Sequence, residues 1–141
     1  MLLGLFIEKQ QSEPKTTAPH FSTPASVRDG TFEFQVLGIG RSSTTEGTFS
    51  EEAKGEFFVV KVRVTNVGDK PDKFFADYQR LYVGTASYSP TATLGASIWV
   101  QDINPGLWVE GNIYFDVPKG AKPTEIEFSE GMFSRGSKVA L

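Results

Sequence analysis

The residues best placed by type and spacing to do chemistry are carboxylates. Glu125 and Glu127 alternate in 124-TEIEFSE-130, Glu130 follows them, and Glu51 and Glu52 are adjacent. A carboxyl pair roughly 5–9 Å apart can hydrolyse a glycosidic bond when burial raises the pKa of one member. At strand spacing, however, Glu125 and Glu127 lie opposite Ile126 and Phe128, on the wet face, where neither is desolvated. Charges placed there discourage edge-to-edge pairing of strands. No catalytic residue is therefore expected, and a weak acidic hydrolase using these surface carboxylates stands as an alternative.

The other chemical candidates are weaker. His20, the single histidine, lies between Pro19 and Pro24, where no rigid frame would hold a triad or a metal. Gly38-x-Gly40 lacks the third glycine and the following helix of a phosphate loop. Asp69 and Asp72 offer oxygens to calcium, but no loop supplies the five or six it takes. The chain has no cysteine, which removes disulfides, thiolate zinc sites and thiol catalysis together. The expectation is no metal and no cofactor.

Aromatic side chains make a better case for recognition than any of these make for catalysis. If Val109, Gly111, Ile113, Phe115 and Val117 point inward, then Trp108, Glu110, Asn112, Tyr114 and Asp116 point outward. Trp99 comes shortly before, and Tyr78, Tyr82 and Tyr88 sit in or near turns. Flat amphipathic rings among polar groups bury area at little entropic cost, which suits protein or sugar recognition. Trp99, Trp108, Asn112 and Tyr114 are thus the candidate binding residues. A bulge at Gly111 or simple capping of a core by aromatics would account for them equally.

These side chains need elements to hold them. The 141 residues favour one domain, and 39% hydrophobic content with twelve Phe permits a core without staples. Phe32, Phe34 and Val36 alternate against Glu33 and Gln35. Phe58, Val60, Val62 and Val64 alternate against Lys61, Arg63 and Thr65. Shorter runs follow at 73–76, 80–84 and 97–101, then the strand of Trp108, then Ile126 with Phe128, and last Val139 with Leu141. The segment 66-NVGDKP-71 reads as a turn. Asn104-Pro105-Gly106 reads as a type II turn with Gly at the third position, and Pro118 ends the strand before it. The segment 40–55 reads as a long polar loop. No window has helical periodicity. Six to eight short strands between Gly/Pro turns predict an all-β, immunoglobulin-like antiparallel sandwich over 31–141.

Residues 1–30 read differently. The apolar run Leu2 to Ile7 is too short to span a bilayer and lacks the flanks of a signal peptide. Pro14, Pro19 and Pro24 then punctuate a Ser/Thr-rich linker. A hydrophobic stub, a spacer and a domain suit a module displayed from the cell envelope, in contact with membrane only through an anchor upstream. The net charge of −3 and scattered Lys and Arg give no footprint for nucleic acid.

Three segments carry a resemblance: 55-GEFFVVKVRVTNVGDKP-71, 81-LYVGTASYSP-90 and 103-INPGLWVEGNIYFDVPKGAKP-123, with 29-DGTFEFQVLGI-39 ahead of them. On these the chain resembles a family of extracellular immunoglobulin-like domains of unknown function. That family is common in actinobacterial lipoproteins and secreted proteins and in some of their phages, and is grouped with a secreted mycobacterial immunoprotective antigen. The resemblance implies the sandwich fold, an extracytoplasmic address and no established catalytic role. Many members of that family carry a cysteine pair near the strand of Phe58, which this chain lacks. The expected function is a non-enzymatic extracytoplasmic interaction module whose partner is a protein or envelope component. A phage-encoded envelope protein that modifies host surface access or superinfection is the further alternative.

Overall fold

The computed structural model describes residues 26–91 and 99–141. His20, the apolar stub, most of the spacer and two residues of the 97–101 run lie outside them. The strands are β1 (Ser26–Asp29), β2 (Phe32–Thr44), β3 (Glu52–Asn66), β4 (Asp72–Phe75), β5 (Arg80–Val83), β6 (Ala86–Tyr88), β7 (Val100–Ile103), β8 (Trp108–Val117), β9 (Glu125–Phe128) and β10 (Ser137–Ala140). A single turn of 3₁₀ helix, Ala76–Tyr78, separates β4 from β5.

One sheet has the order β1-β2-β3-β8 and a second has the order β10-β9-β5-β6, while β4 and β7 form a two-stranded ribbon. Every pairing is antiparallel. The fold is an immunoglobulin-like all-β sandwich, as the alternation predicts. The inward sets Phe32, Phe34, Val36 and Phe58, Val60, Val62, Val64 are buried together with Ile113, Phe115, Val117, Ile126 and Phe128. The Phe34 and Phe128 rings stack at 4.9 Å and 5° across the space between the sheets, and Phe74 packs 6.2 Å from Phe34. Wide apolar rings from both layers thus meet in one dry interior, which is where the burial free energy of such a fold resides.

The structure corrects two boundaries. The first described strand is Ser26–Asp29, inside the segment read as linker, where Val27 and Asp29 pair with Phe34 and Phe32 across a tight turn at Gly30, whose φ is +62°. Segment 40–55 is not a long loop either. Strands β2 and β3 run on as a ribbon past Gly38 and Gly40, which sit inside β2 opposite Lys61 and Val59. Only 45–51 lies outside the strands, closed by Thr45 N–H to Glu51 O at 2.9 Å and Glu51 N–H to Thr45 Oγ at 2.9 Å. Polar composition misled there because a two-stranded ribbon exposed on both sides needs no apolar face.

The Gly/Pro punctuation is folding chemistry. Gly106 has φ +81° and Leu107 N–H reaches Asn104 O at 3.1 Å, the geometry of the expected type II turn. Asp116 Oδ atoms accept from the N–H groups of Lys54 and Gly55 at 2.7 and 2.9 Å, pinning the start of β3 to the end of β8.

Candidate interaction surface

The register expected for β8 is correct, but its outward residues meet different fates. Strand β8 pairs with β3 so that Trp108 faces Thr65, Glu110 faces Arg63, Asn112 faces Lys61 and Tyr114 faces Val59. Trp108, at the strand's first position, keeps 52% of its surface exposed. The Arg63 guanidinium lies 4.3 Å over its ring. Arg63 is itself held by Glu110, with Nε and Nη2 at 2.7 and 2.5 Å from one carboxylate oxygen. This cation–π stack braces the indole in one orientation with its other face open.

Tyr114 corrects the expectation of an exposed aromatic, since only 4% of it is accessible. The 45–51 tip folds over the outer face, the Glu46 N–H donates to the Tyr114 hydroxyl at 3.3 Å, and the Phe57 ring meets Tyr114 edge-on at 5.5 Å. A small apolar cluster on the nominally wet face thus buries both rings. Asn112 is half-buried beside a shallow cleft with Gly38, Gly40 and Lys61. Trp99 is half-buried, packs against the main core, and its carbonyl accepts the Ala76 N–H at 2.9 Å. Trp108 and Tyr114 are six positions apart on one strand, about 20 Å at ordinary strand rise. The four candidates therefore do not form one patch.

What Trp108 does join is a set of apolar residues carried by turns. Leu107 is 58% exposed and Val67 is 40% exposed. Both turns converge on the buried side chain of Asn66, and Val67 N–H donates to Thr31 O at 2.8 Å. At the same end of the sandwich, loop 129–136 carries Met132 and Phe133, exposed by 67% and 97%. No periodicity marks these residues, which belong to turns. The only hint in the sequence is an apolar pair set inside 129-SEGMFSRG-136.

The carboxylates of the hydrolase alternative are engaged in strand-to-strand contacts. Glu125 lies 3.4 Å from Lys138 Nζ, and Glu127 accepts from the Tyr82 hydroxyl at 3.1 Å. Burial, together with the Glu127 hydrogen bond and charge, pushes the Tyr82 pKa up despite Lys138 nearby. Glu130 does not join them but turns toward Thr31 and Asp72. Thr31 Oγ lies 2.6 Å from Asp72 Oδ2 and 2.7 Å from Glu130 Oε2. Burial opposes ionisation of Asp72, yet hydrogen bonds at its carboxylate, among them those from the Thr31 hydroxyl and the Lys73 N–H, outweigh it. Together they hold its pKa below the ordinary 3.8.

That shift has a sign. A carboxyl whose folded pKa lies below its unfolded value adds stability that is fully present above the unfolded pKa and is lost as pH falls through the folded one. Urea denaturation followed from about pH 6 down to about pH 3 is expected to show stability falling below about pH 4, with a shallower fall in Asp72→Asn. Identical slopes in the two proteins would refute the assignment.

Several solved structures share this architecture. YcdA, a candidate lipoprotein of Bacillus subtilis, superposes with a TM-score of 0.65 at 20% identity, covering 84% of this chain and 39% of its own. The chain thus spans about two fifths of that protein's length. MPT63, a secreted protein of Mycobacterium tuberculosis, has a TM-score of 0.60 at 16% identity, covering 78% of this chain and 88% of its own. YjhA of Bacillus subtilis follows at 0.58 and 15%, with 74% and 76% covered. At these identities the likeness establishes the fold. No curated protein matches the chain. The model of one family does match, over residues 22–139, so its match also begins upstream of residue 31, and the chain belongs to that family, described as a domain of unknown function, DUF4352.

Proposed function

We propose that this chain is a non-enzymatic interaction module that works outside the cytoplasm, and that it meets a protein of the cell envelope through the end of the sandwich bearing Trp108. The observation that carries this reading is the braced, half-exposed indole beside exposed Leu107 and Val67. A large aromatic held in one orientation loses little entropy on binding, and such residues dominate interface energetics. The likeness to a secreted protein and to a candidate lipoprotein supports the extracytoplasmic setting. The engagement of Glu125 and Glu127 in cross-strand contacts supports a non-enzymatic role. Asn112 and Trp99 do not share its exposure, and buried Tyr114 has no part in it.

The test is capture of envelope proteins on immobilised wild-type chain, Trp108→Ala and Tyr114→Phe, each first shown to keep its melting temperature. Retention of a specific partner is expected to drop at least about tenfold with Trp108→Ala, the scale of an interface hot spot. It is expected to persist with Tyr114→Phe. Equal retention by wild type and Trp108→Ala would overturn the placement of the surface.

A further inference from the structure

A second feature at the same end of the molecule is independent of Trp108. A groove of about 570 Å³ runs between β4, the 3₁₀ turn and loop 129–136, with Phe75, Tyr78, Met132 and Phe133 as apolar walls and Asp72 and Glu130 at its head. The volume lies in the range of sites that take side chains and small ligands. The Phe75 and Tyr78 rings meet edge-to-face at 5.4 Å, which stiffens one wall.

The other wall is held by buried polar groups. Gln79 is fully buried. Its amide oxygen accepts from Ser129 N–H at 2.8 Å, and its amide nitrogen donates to Ser129 O and Phe75 O at 3.1 and 2.9 Å. Asp29, also buried, accepts from Glu130 N–H at 2.7 Å, from Gly136 N–H at 3.2 Å and from the Ser134 hydroxyl. Both ends of the loop are therefore pinned, and its tip presents Met132 and Phe133 to solvent. Exposed apolar groups on a fixed frame mark contact sites, because a mobile loop could have folded them away.

Among the described residues, few protein donors reach the head of the groove. Thr31 Oγ is within hydrogen-bond distance of both carboxylates but carries one proton, which serves one of them. Backbone N–H groups of Thr31 and Lys73 supply one bond each, at 3.2 and 2.8 Å. Among the described residues no Lys or Arg forms an ion pair with Asp72 or Glu130. The neighbouring base, Lys73, is committed to Asp102 at 2.6 Å. Two part-buried carboxylates this close favour a cation between them. Facing aromatic walls favour one that carries apolar bulk.

We propose that this groove binds a polypeptide segment in which an arginine or lysine adjoins a bulky apolar side chain, the cation against Asp72 and Glu130 and the apolar group against Phe133. Charge complementarity selects the basic residue, and the apolar lining of Phe75, Tyr78, Met132 and Phe133 selects a side chain beside it rather than a free ion. Arginine fits best, since its planar fork can engage both carboxylates at once.

The probe is N-acetyl-Phe-Arg-amide titrated into the full chain, followed by amide shifts in ¹⁵N–¹H spectra. Shifts are expected at Thr31, Lys73, Met132 and Phe133. The analogue with neutral citrulline in place of arginine is expected to bind at least about tenfold more weakly, as is the arginine peptide with Phe133→Ala. Phe133 is almost wholly exposed, so its removal leaves the fold intact. Glu130→Gln and Asp72→Asn are each expected to weaken binding similarly, and two separate carboxylate variants guard against local loosening by either. Trp108→Ala is expected to leave this binding unchanged, which separates the groove from the surface described above. Equal binding of the citrulline peptide, an unaffected Phe133→Ala, spermidine binding as tightly as the peptide, or no shift at millimolar peptide would each overturn the proposal.

Discussion

Asn66→Ala is expected to lower the stability of this domain by roughly 3–5 kcal/mol, from three hydrogen bonds lost at a buried site at about 1–3 kcal/mol per orphaned group. Asn66 is wholly inaccessible. Its Nδ2 donates to Lys70 O and Ile103 O, both at 2.8 Å, and its Oδ1 accepts from Gly68 N–H at 2.8 Å. Its main chain is tied to the second turn as well, through N–H to Leu107 O at 3.0 Å and O to Gly106 N–H at 2.8 Å. One side chain thus joins turn 66–71 to turn 104–107. Truncation leaves the buried Ile103 carbonyl without its donor and removes the side-chain ties to Lys70 and Gly68, while the main-chain bonds to Gly106 and Leu107 remain. Single domains are stable by about 5–15 kcal/mol, so the loss would be a large share of the whole. Urea denaturation by circular dichroism would measure it. Asn66→Asp should be at least as damaging, since it replaces two donors with a buried charge. A loss below about 1 kcal/mol would show that water replaces these bonds without cost.

Phe34→Ala is expected to cost a similar amount for a different reason, about 3–5 kcal/mol from lost burial and the cavity left behind. Phe34 touches Phe32, Phe74 and Phe128, and its stack on Phe128 is the direct bridge between the two sheets. The ring is fully buried, and neighbours on two separate sheets cannot collapse together to fill the void. Phe34→Leu should recover more than half of the loss because it refills most of the volume. The contrasting control is Phe133→Ala, expected to change stability by no more than about 0.5 kcal/mol because that ring packs on nothing. If the two alanine variants melted together, the sheets would not be held by the Phe34 contact.

The fold was largely legible in the sequence, and the candidate surface much less so. Strict alternation from Phe32 to Val36 and from Phe58 to Val64 named inward residues that are buried without exception. Asn104-Pro105-Gly106 announced its turn because Pro and Gly restrict dihedrals locally, whatever surrounds them. By contrast, the register of β8 was correct while the exposure inferred from it failed at Tyr114. Alternation says which way a side chain points from its own sheet, not what distant chain covers it. The 45–51 tip that covers Tyr114 lies more than sixty residues away. Asn66 looked like the start of a turn and is the last residue of β3, but its reach to Ile103 O depends on a strand not adjacent in sequence.

The sequence alone thus determined the strand periods, the turn chemistry, the all-β class and the lack of cysteine chemistry, because each follows from interactions among residues a few positions apart. Tertiary structure alone decided that Trp108 is braced by Arg63 while Tyr114 is buried. It also decided that Glu130 leaves Glu125 and Glu127 to meet Asp72, and that Met132 and Phe133 stand on a loop pinned by Asp29 and Gln79. Those outcomes depend on which remote segments pack together, and burial and charge pairing are properties of that packing rather than of any local pattern.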